Sequence, residues 1–169
     1  MKKFIMKKLA LVLTLTAITA TPVMADTYVG VNAGTNKMDI TGLGSSTGFG
    51  VLGGYTFSDM LAAEVSYNNL GDATFTGGGT ISGSVMGIAA VGSFPVSKDI
   101  ALMAKLGFAS STISGGGVSE SKSDLAYGVG AQYNLSKTTG IRVNYDSFNV
   151  GSTSSKSSTL MSVGVVFKM

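Results

Sequence analysis

The sequence predicts an all-β fold, an eight-stranded antiparallel up-and-down β-barrel that crosses a membrane. Three observations predict it. Bulky apolar residues alternate with small or polar ones along eight segments, most of about 9 to 11 residues, the length a tilted strand needs to cross a hydrocarbon layer. The connections between these segments alternate between short and long. The face opposite the apolar one is mostly glycine, alanine, asparagine and glutamine, where a soluble sheet would place varied and often charged residues.

The first 25 residues stand apart from that pattern. Met1 to Lys8 carries four lysines, Leu9 to Ala20 is almost wholly apolar, and Val23-Met24-Ala25 fits a cleavage site. This is the pattern of a secretory signal peptide, and its apolar run is well short of the ~20 residues of a spanning helix. Met6 is a second candidate start, since a complete leader follows it. The expected division is therefore a signal peptide over residues 1–25 and a barrel domain over 26–169. Four of the twelve basic residues and none of the nine acidic ones lie in the leader, which leaves eight bases against nine acids, a net charge of −1. The basic pI belongs to export, and nucleic-acid binding is not expected. Charged residues make up 12% of the chain and mean hydropathy is +0.37, too apolar for an ordinary soluble secreted domain.

The first strand is expected over Thr27 to Gly34 (TYVGVNAG), the second over Thr47 to Phe57. The third, Leu61 to Asn69, sets Leu61, Ala63, Val65 and Tyr67 outward against Ala62, Glu64, Ser66 and Asn68. In the fourth, Gly83 to Phe94, both faces are apolar or small; Met86, Ile88 and Phe94 are taken as outward. The fifth, Ile100 to Ser110, points Ile100, Leu102, Ala104, Leu106 and Phe108 to lipid and Lys105 and Gly107 inward. The sixth, Asp124 to Leu135, alternates most regularly, with Leu125, Tyr127, Val129, Ala131, Tyr133 and Leu135 outside. The seventh, Gly140 to Phe148, sets Arg142 between Ile141 and Val143; the eighth, Leu160 to Lys168, puts Met161, Val163, Val165 and Phe167 outside. Glycine suits the inside, because eight strands enclose a lumen barely wide enough for side chains.

Ser58 to Met60, Pro95 to Asp99 and Ser136 to Thr139 read as tight turns. Thr35 to Ser46, Leu70 to Ser82, Ser111 to Ser123 and Asn149 to Thr159 read as long Gly/Ser/Thr-rich loops, flexible by composition, or else a surface that binds host molecules, phage or neighbouring cells. Short turns at one rim and long loops at the other are the arrangement of an outer-membrane barrel. Aromatics fall into two girdles: Tyr28, Tyr55, Phe57, Tyr133 and Phe167 near the short turns, and Phe49, Tyr67, Phe108 and Tyr127 near the loops.

With this strand pattern, the TYVGVNAG first strand and the inward charges Glu64, Lys105 and Arg142, residues 26–169 resemble the transmembrane domain of the OmpA family and the wider group of outer-membrane barrels that includes OmpX and Ail. That family carries inward Glu, Lys, Glu and Arg on strands three, five, six and seven, whose ion pairs are proposed to block or open the lumen. The resemblance maps the strand-six Glu onto Gln132, which leaves Lys105 and Arg142 competing for Glu64, with Asp146 a further partner. These five residues are the candidate site, as a lumen gate or as a satisfied polar filling of the lumen. The chain ends Val166-Phe167-Lys168-Met169, whereas the family usually ends on an aromatic, and a peptidoglycan-binding domain after the eighth strand is not expected.

Cysteine and histidine are both missing, which removes zinc sites, disulfides and the commonest nucleophile–base pairs. Gly48 to Gly53 satisfies G-x-G-x-x-G, but inside an alternating strand rather than between a strand and a helix. Ser119 to Lys122 matches S-x-x-K without the companion motifs of penicillin-binding proteins. The expected protein is not an enzyme and takes no cofactor or metal. It is a monomeric structural or surface-interaction protein of the outer membrane of a Gram-negative bacterium. Its expected partners are outer-membrane lipids including lipopolysaccharide, the barrel-assembly machinery, and a host or phage surface ligand met through the loops. The alternative is a narrow, low-conductance pore for ions or very small solutes.

Overall fold

In a computed structural model, which describes residues 26–38, 44–74, 78–115, 118–150 and 156–169, the chain is a closed barrel of eight strands. They are β1 (Thr27–Met38), β2 (Ser46–Ser58), β3 (Leu61–Thr74), β4 (Thr80–Pro95), β5 (Ile100–Gly115), β6 (Val118–Asn134), β7 (Thr139–Val150) and β8 (Lys156–Lys168). Each pairs antiparallel with the next, and β1 closes on β8 through Val31↔Val165 and its neighbours. Closure leaves no sheet edge, which a hydrocarbon surroundings require because an unpaired backbone group there costs several kcal/mol. The expected leader over residues 1–25 lies outside the described residues.

Every expected strand is present, and the expected faces hold. Leu106, Phe108, Tyr127, Val129, Met161 and Val163 are exposed side chains on the outer wall. On β4, whose two faces look alike in sequence, Met86, Ile88 and Phe94 point outward while Val85 and Val91 are buried inside. Two girdles frame the band, Tyr55, Phe57, Tyr133 and Phe167 at one rim and Phe49, Tyr67, Phe108 and Tyr127 at the other. Tyr28 departs from expectation. It is buried in the lumen, because Val29 and Val31 take the outward parity of β1 and force Tyr28 inward.

The connections differ from expectation too. Residues 70–74, 80–82, 111–115 and 118–123, taken in sequence for loop, continue β3 to β6 as strand well past the apolar band. Asn36↔Ser46 and Thr74↔Thr80 mark how far the pairing runs on two sides of the barrel. A bulge between Asn69 and Gly71 changes the parity of β3 at this border. Gly71 takes the left-handed φ of 73°, and its N–H donates to Asn69 Oδ1 at 2.8 Å.

Past the bulge, the sheet's polarity inverts. Outward positions become Asp72 and Thr74, Ser82 and Ser84, Thr112 and Ser114, Ser119 and Ser121, while Leu70 and Ala73 are buried inward. Leu70, Val85, Ala109, Phe148 and Leu160 form one apolar cluster inside the barrel mouth, with Ile113 and Ala126 packed against it. A second cluster, Tyr28, Leu52, Ala62, Val91, Met103 and Val166, fills the lumen nearer the short turns. The interior is therefore layered, apolar at each end and charged between.

Candidate functional site

The charged layer is built by strand parity. Glu64 on β3, Lys105 on β5, Gln132 on β6 and Arg142 and Asp146 on β7 all occupy inward positions, and the barrel's curvature brings their tips together. Glu64 is the hub. Its Oε1 accepts from Lys105 Nζ at 2.9 Å and its Oε2 from Arg142 Nη1 at 2.5 Å. The sequence led to the expectation that the two cations compete for Glu64; in the structure each takes its own oxygen. The Tyr28 hydroxyl donates to Oε2 as well, at 3.0 Å.

Arg142 is held by three residues, Glu64, Gln132 and Tyr28. Its Nε and Nη2 both donate to Gln132 Oε1, at 3.1 and 3.0 Å, and Gln132 Nε2 donates in turn to Asn134 Oδ1 at 2.8 Å. Gln132↔Arg142 is a directly opposite pair across β6 and β7, so the contact follows from register alone. The Tyr28 ring lies against the guanidinium with 5.1 Å from Cζ to the ring centroid. That ring needs the bare backbone of Gly54 beside it, since a Cβ there would fall among the ring atoms. Tyr28 was missed by sequence reasoning, although the outward run Val29, Val31 and Ala33 fixes its direction.

Lys105 is held less tightly. Besides Glu64 it has Asp146 Oδ1 at 3.8 Å, an ion-pair distance too long for a hydrogen bond. Two carboxylates and two cations leave the layer neutral, which matters because Glu64 and Arg142 keep only 3% and 4% of their side-chain surface exposed.

Two cavities flank the layer. One of about 360 Å³ lies toward the short turns, floored by Tyr28, Gln132, Arg142 and Met103, with Asp26, Asp59 and Lys168 around it. A smaller one of about 70 Å³ is lined by Glu64, Lys105, Asp146, Asn68 and Asn144 and by the apolar mouth residues Val85, Phe148 and Leu160. Asn68 Oδ1 and Asn144 Oδ1 are buried there with no protein partner, the polar lining that an enclosed water needs. Among the described residues no cluster of acids could hold a metal ion.

A family model described as outer membrane protein beta-barrel domain matches residues 9–168. The chain belongs to this family. No curated protein matches the sequence of this family member. Solved structures with the same fold include Ail, the attachment invasion locus protein of Yersinia pestis, at 18% identity and a TM-score of 0.62, covering 87% of this chain and 100% of that one. The N-terminal β-barrel domain of Pseudomonas aeruginosa OprF follows at 17% identity and 0.62, covering 84% and 97%. Neisserial surface protein A is similar at 18% and 0.59, covering 86% and 97%. At these identities the likeness carries the fold of an outer-membrane barrel and no more.

Proposed function

We propose that this outer-membrane barrel is a closed anchor, delivered by a cleaved leader over residues 1–25, that holds a raised β-sheet and its hairpins at the cell surface as an interaction surface. One observation carries this reading: the lumen is filled at three successive levels. The apolar mouth cluster, the Glu64–Arg142–Tyr28 layer and the Met103–Val166 cluster each bury their side chains almost completely. Arg142 would have to leave two hydrogen bonds, an ion pair and an aromatic face together to open a path, at a cost of several kcal/mol.

The lipid belt makes outer-membrane lipids, lipopolysaccharide among them, its permanent surroundings, reached through the barrel-assembly machinery as a monomer. A second reading, the narrow pore, draws support from the loosely held Lys105 between Glu64 and Asp146. In that reading the layer gates flow. Ail has been solved in complex with the heparin analogue sucrose octasulfate. A comparable surface role fits this chain, although a sulfated ligand calls for clustered cations to meet it.

Single-channel recording in a planar bilayer separates the two readings, with the wild-type chain and Arg142→Ala side by side after folding is confirmed. The anchor predicts a silent wild type. Discrete conductance steps from the wild type that alter in the variant would establish the pore.

A further inference from the structure

The residues of the charged layer do not share one cavity. Glu64, Lys105 and Asp146 line the small cavity toward the mouth, whereas Gln132 and Arg142 line the larger one toward the short turns. The floor of the larger cavity is therefore cationic. Arg142 spends three of its five N–H donors, two on Gln132 Oε1 and one on Glu64 Oε2, which leaves two without an acceptor among the described residues. The Tyr28 ring against its face and the two strand partners hold the guanidinium in place, so those donors are presented without the cost of ordering a long side chain.

The rim of this cavity carries the opposite sign. Asp26 is fixed at the start of β1, its carbonyl accepting from the Thr56 N–H at 3.0 Å, and Asp59 stands in the turn between β2 and β3. Among the described residues neither carboxylate is in an ion pair. Between rim and floor one wall is apolar, with Ala62, Met103 and Val166, and another offers the side-chain amides of Gln132 and Asn134.

Charges of both signs at the two ends of one cavity suit a guest with a carboxylate at one end and an ammonium at the other. Length selects among such guests. Lys168, at the rim, lies four residues along β8 from Gly164, the partner of Arg142, so rim and floor are about 10 Å apart for a tilted strand. A free amino acid holds its two charges only about 3 Å apart and reaches one end alone, whereas an extended tripeptide spans roughly 10 Å. We propose that this cavity binds a short peptide with free termini, two or three residues long, its carboxylate on Arg142 and its ammonium between Asp26 and Asp59. The amide wall meets the peptide backbone, and the apolar wall takes small side chains. With the long hairpins at the cell surface, as proposed above, the opening faces the periplasm. The site itself depends neither on that orientation nor on whether the lumen conducts.

The test is amide chemical-shift mapping of the isotope-labelled barrel in phosphatidylcholine nanodiscs, which leave both barrel ends open, with trialanine as the probe. Saturable shifts are expected at residues 56–62, 132–134 and 166–168. Capping either terminus, as N-acetyl-trialanine or as trialanine amide, should weaken binding about tenfold, the worth of one charge-assisted contact, and free alanine should fail to saturate. Asp26→Asn with Asp59→Asn should weaken trialanine to the level of its acetyl derivative and leave the acetyl derivative unchanged, an outcome that a merely structural role of the two acids would not give. Lys168→Gln should leave binding within about twofold. All three substitutions lie at the rim and spare the buried layer. Absent or unsaturable shifts with trialanine, equal binding of the capped and free peptides or of alanine, or an undiminished response in the double variant would each overturn the proposal. Loss of binding in Lys168→Gln would overturn it too, by placing the carboxylate at the rim. Conductance does not enter any of these outcomes, so a negative result beside a silent bilayer leaves the closed anchor standing.

Discussion

The same four strands obey opposite rules on the two sides of Tyr67, Met86, Phe108 and Leu125. Below these residues the outer wall is apolar, with Val65, Ile88, Leu106 and Tyr127 exposed, and Glu64 and Lys105 lie inside, paired there with Arg142 of β7. Above them the outer wall is serine and threonine, and Leu70 and Ala73 are buried inside with Phe148 across the mouth. Apart from the bulge at Gly71 on β3, nothing in the backbone distinguishes the two regions, since the pairing of the strands runs through. The solvent does. Where lipid surrounds the sheet, burial from water means facing outward; where water surrounds it, the ordinary soluble rule returns. The border between the rules thus marks the membrane surface to within one pleat on each strand.

If that division is sound, the two interiors should fail differently. Glu64→Ala removes the shared anion of the charged layer and strands Lys105 and Arg142 in the lumen, and a loss of about 3 to 5 kcal/mol is expected in urea unfolding from lipid vesicles. A loss under about 1 kcal/mol would mean that water reaches the layer freely and that the lumen is more open than its packing indicates. Phe148→Ala at the mouth is a hydrophobic truncation, expected to cost about 3 kcal/mol, the lower end for a buried aromatic because the mouth borders water. Its signature is loss of hydrogen-exchange protection in residues 109–115 with the midplane strands unaffected. Uniform loss of protection would show that the mouth cluster and the membrane barrel fold as one unit.

Much of this architecture was legible in sequence, because a period of two needs no side-chain detail. The outward run Leu125, Tyr127, Val129 and the inward Glu64, Lys105 and Arg142 follow from parity alone. The raised sheet was not legible: Ser111 to Ser123 has the composition of a loop, and the apolar residue that ties it to the mouth cluster is the isolated Ile113. Gly71 hid a further change, since one inserted residue reverses the parity of β3 and no apolar repeat announces it. Within the site, Gln132 opposite Arg142 was readable as register, but the division of Glu64 between two cations depends on which oxygen faces which strand. Tyr28 was read by type, as a girdle aromatic, when the parity of its neighbours placed it in the lumen.

A single strand face gives the sharpest comparison of the two solvents. Leu106 and Thr112 lie on the same outward face of β5, three pleats apart, one below Phe108 and one above it. Leu106→Arg places a guanidinium at hydrocarbon depth and should cost about 2 to 4 kcal/mol in the same unfolding measurement. Thr112→Lys places a cation in or above the headgroups and should cost about 0 to 1 kcal/mol. The small value carries the weight. A cost near that of Leu106→Arg would mean that lipid chains reach Thr112, which would move the membrane surface up by about 10 Å and submerge the hydroxyl face in hydrocarbon. There its unshared hydroxyls would be a burden without partners. A cost near zero fixes the border at Phe108 and leaves the face among headgroups or in water above them.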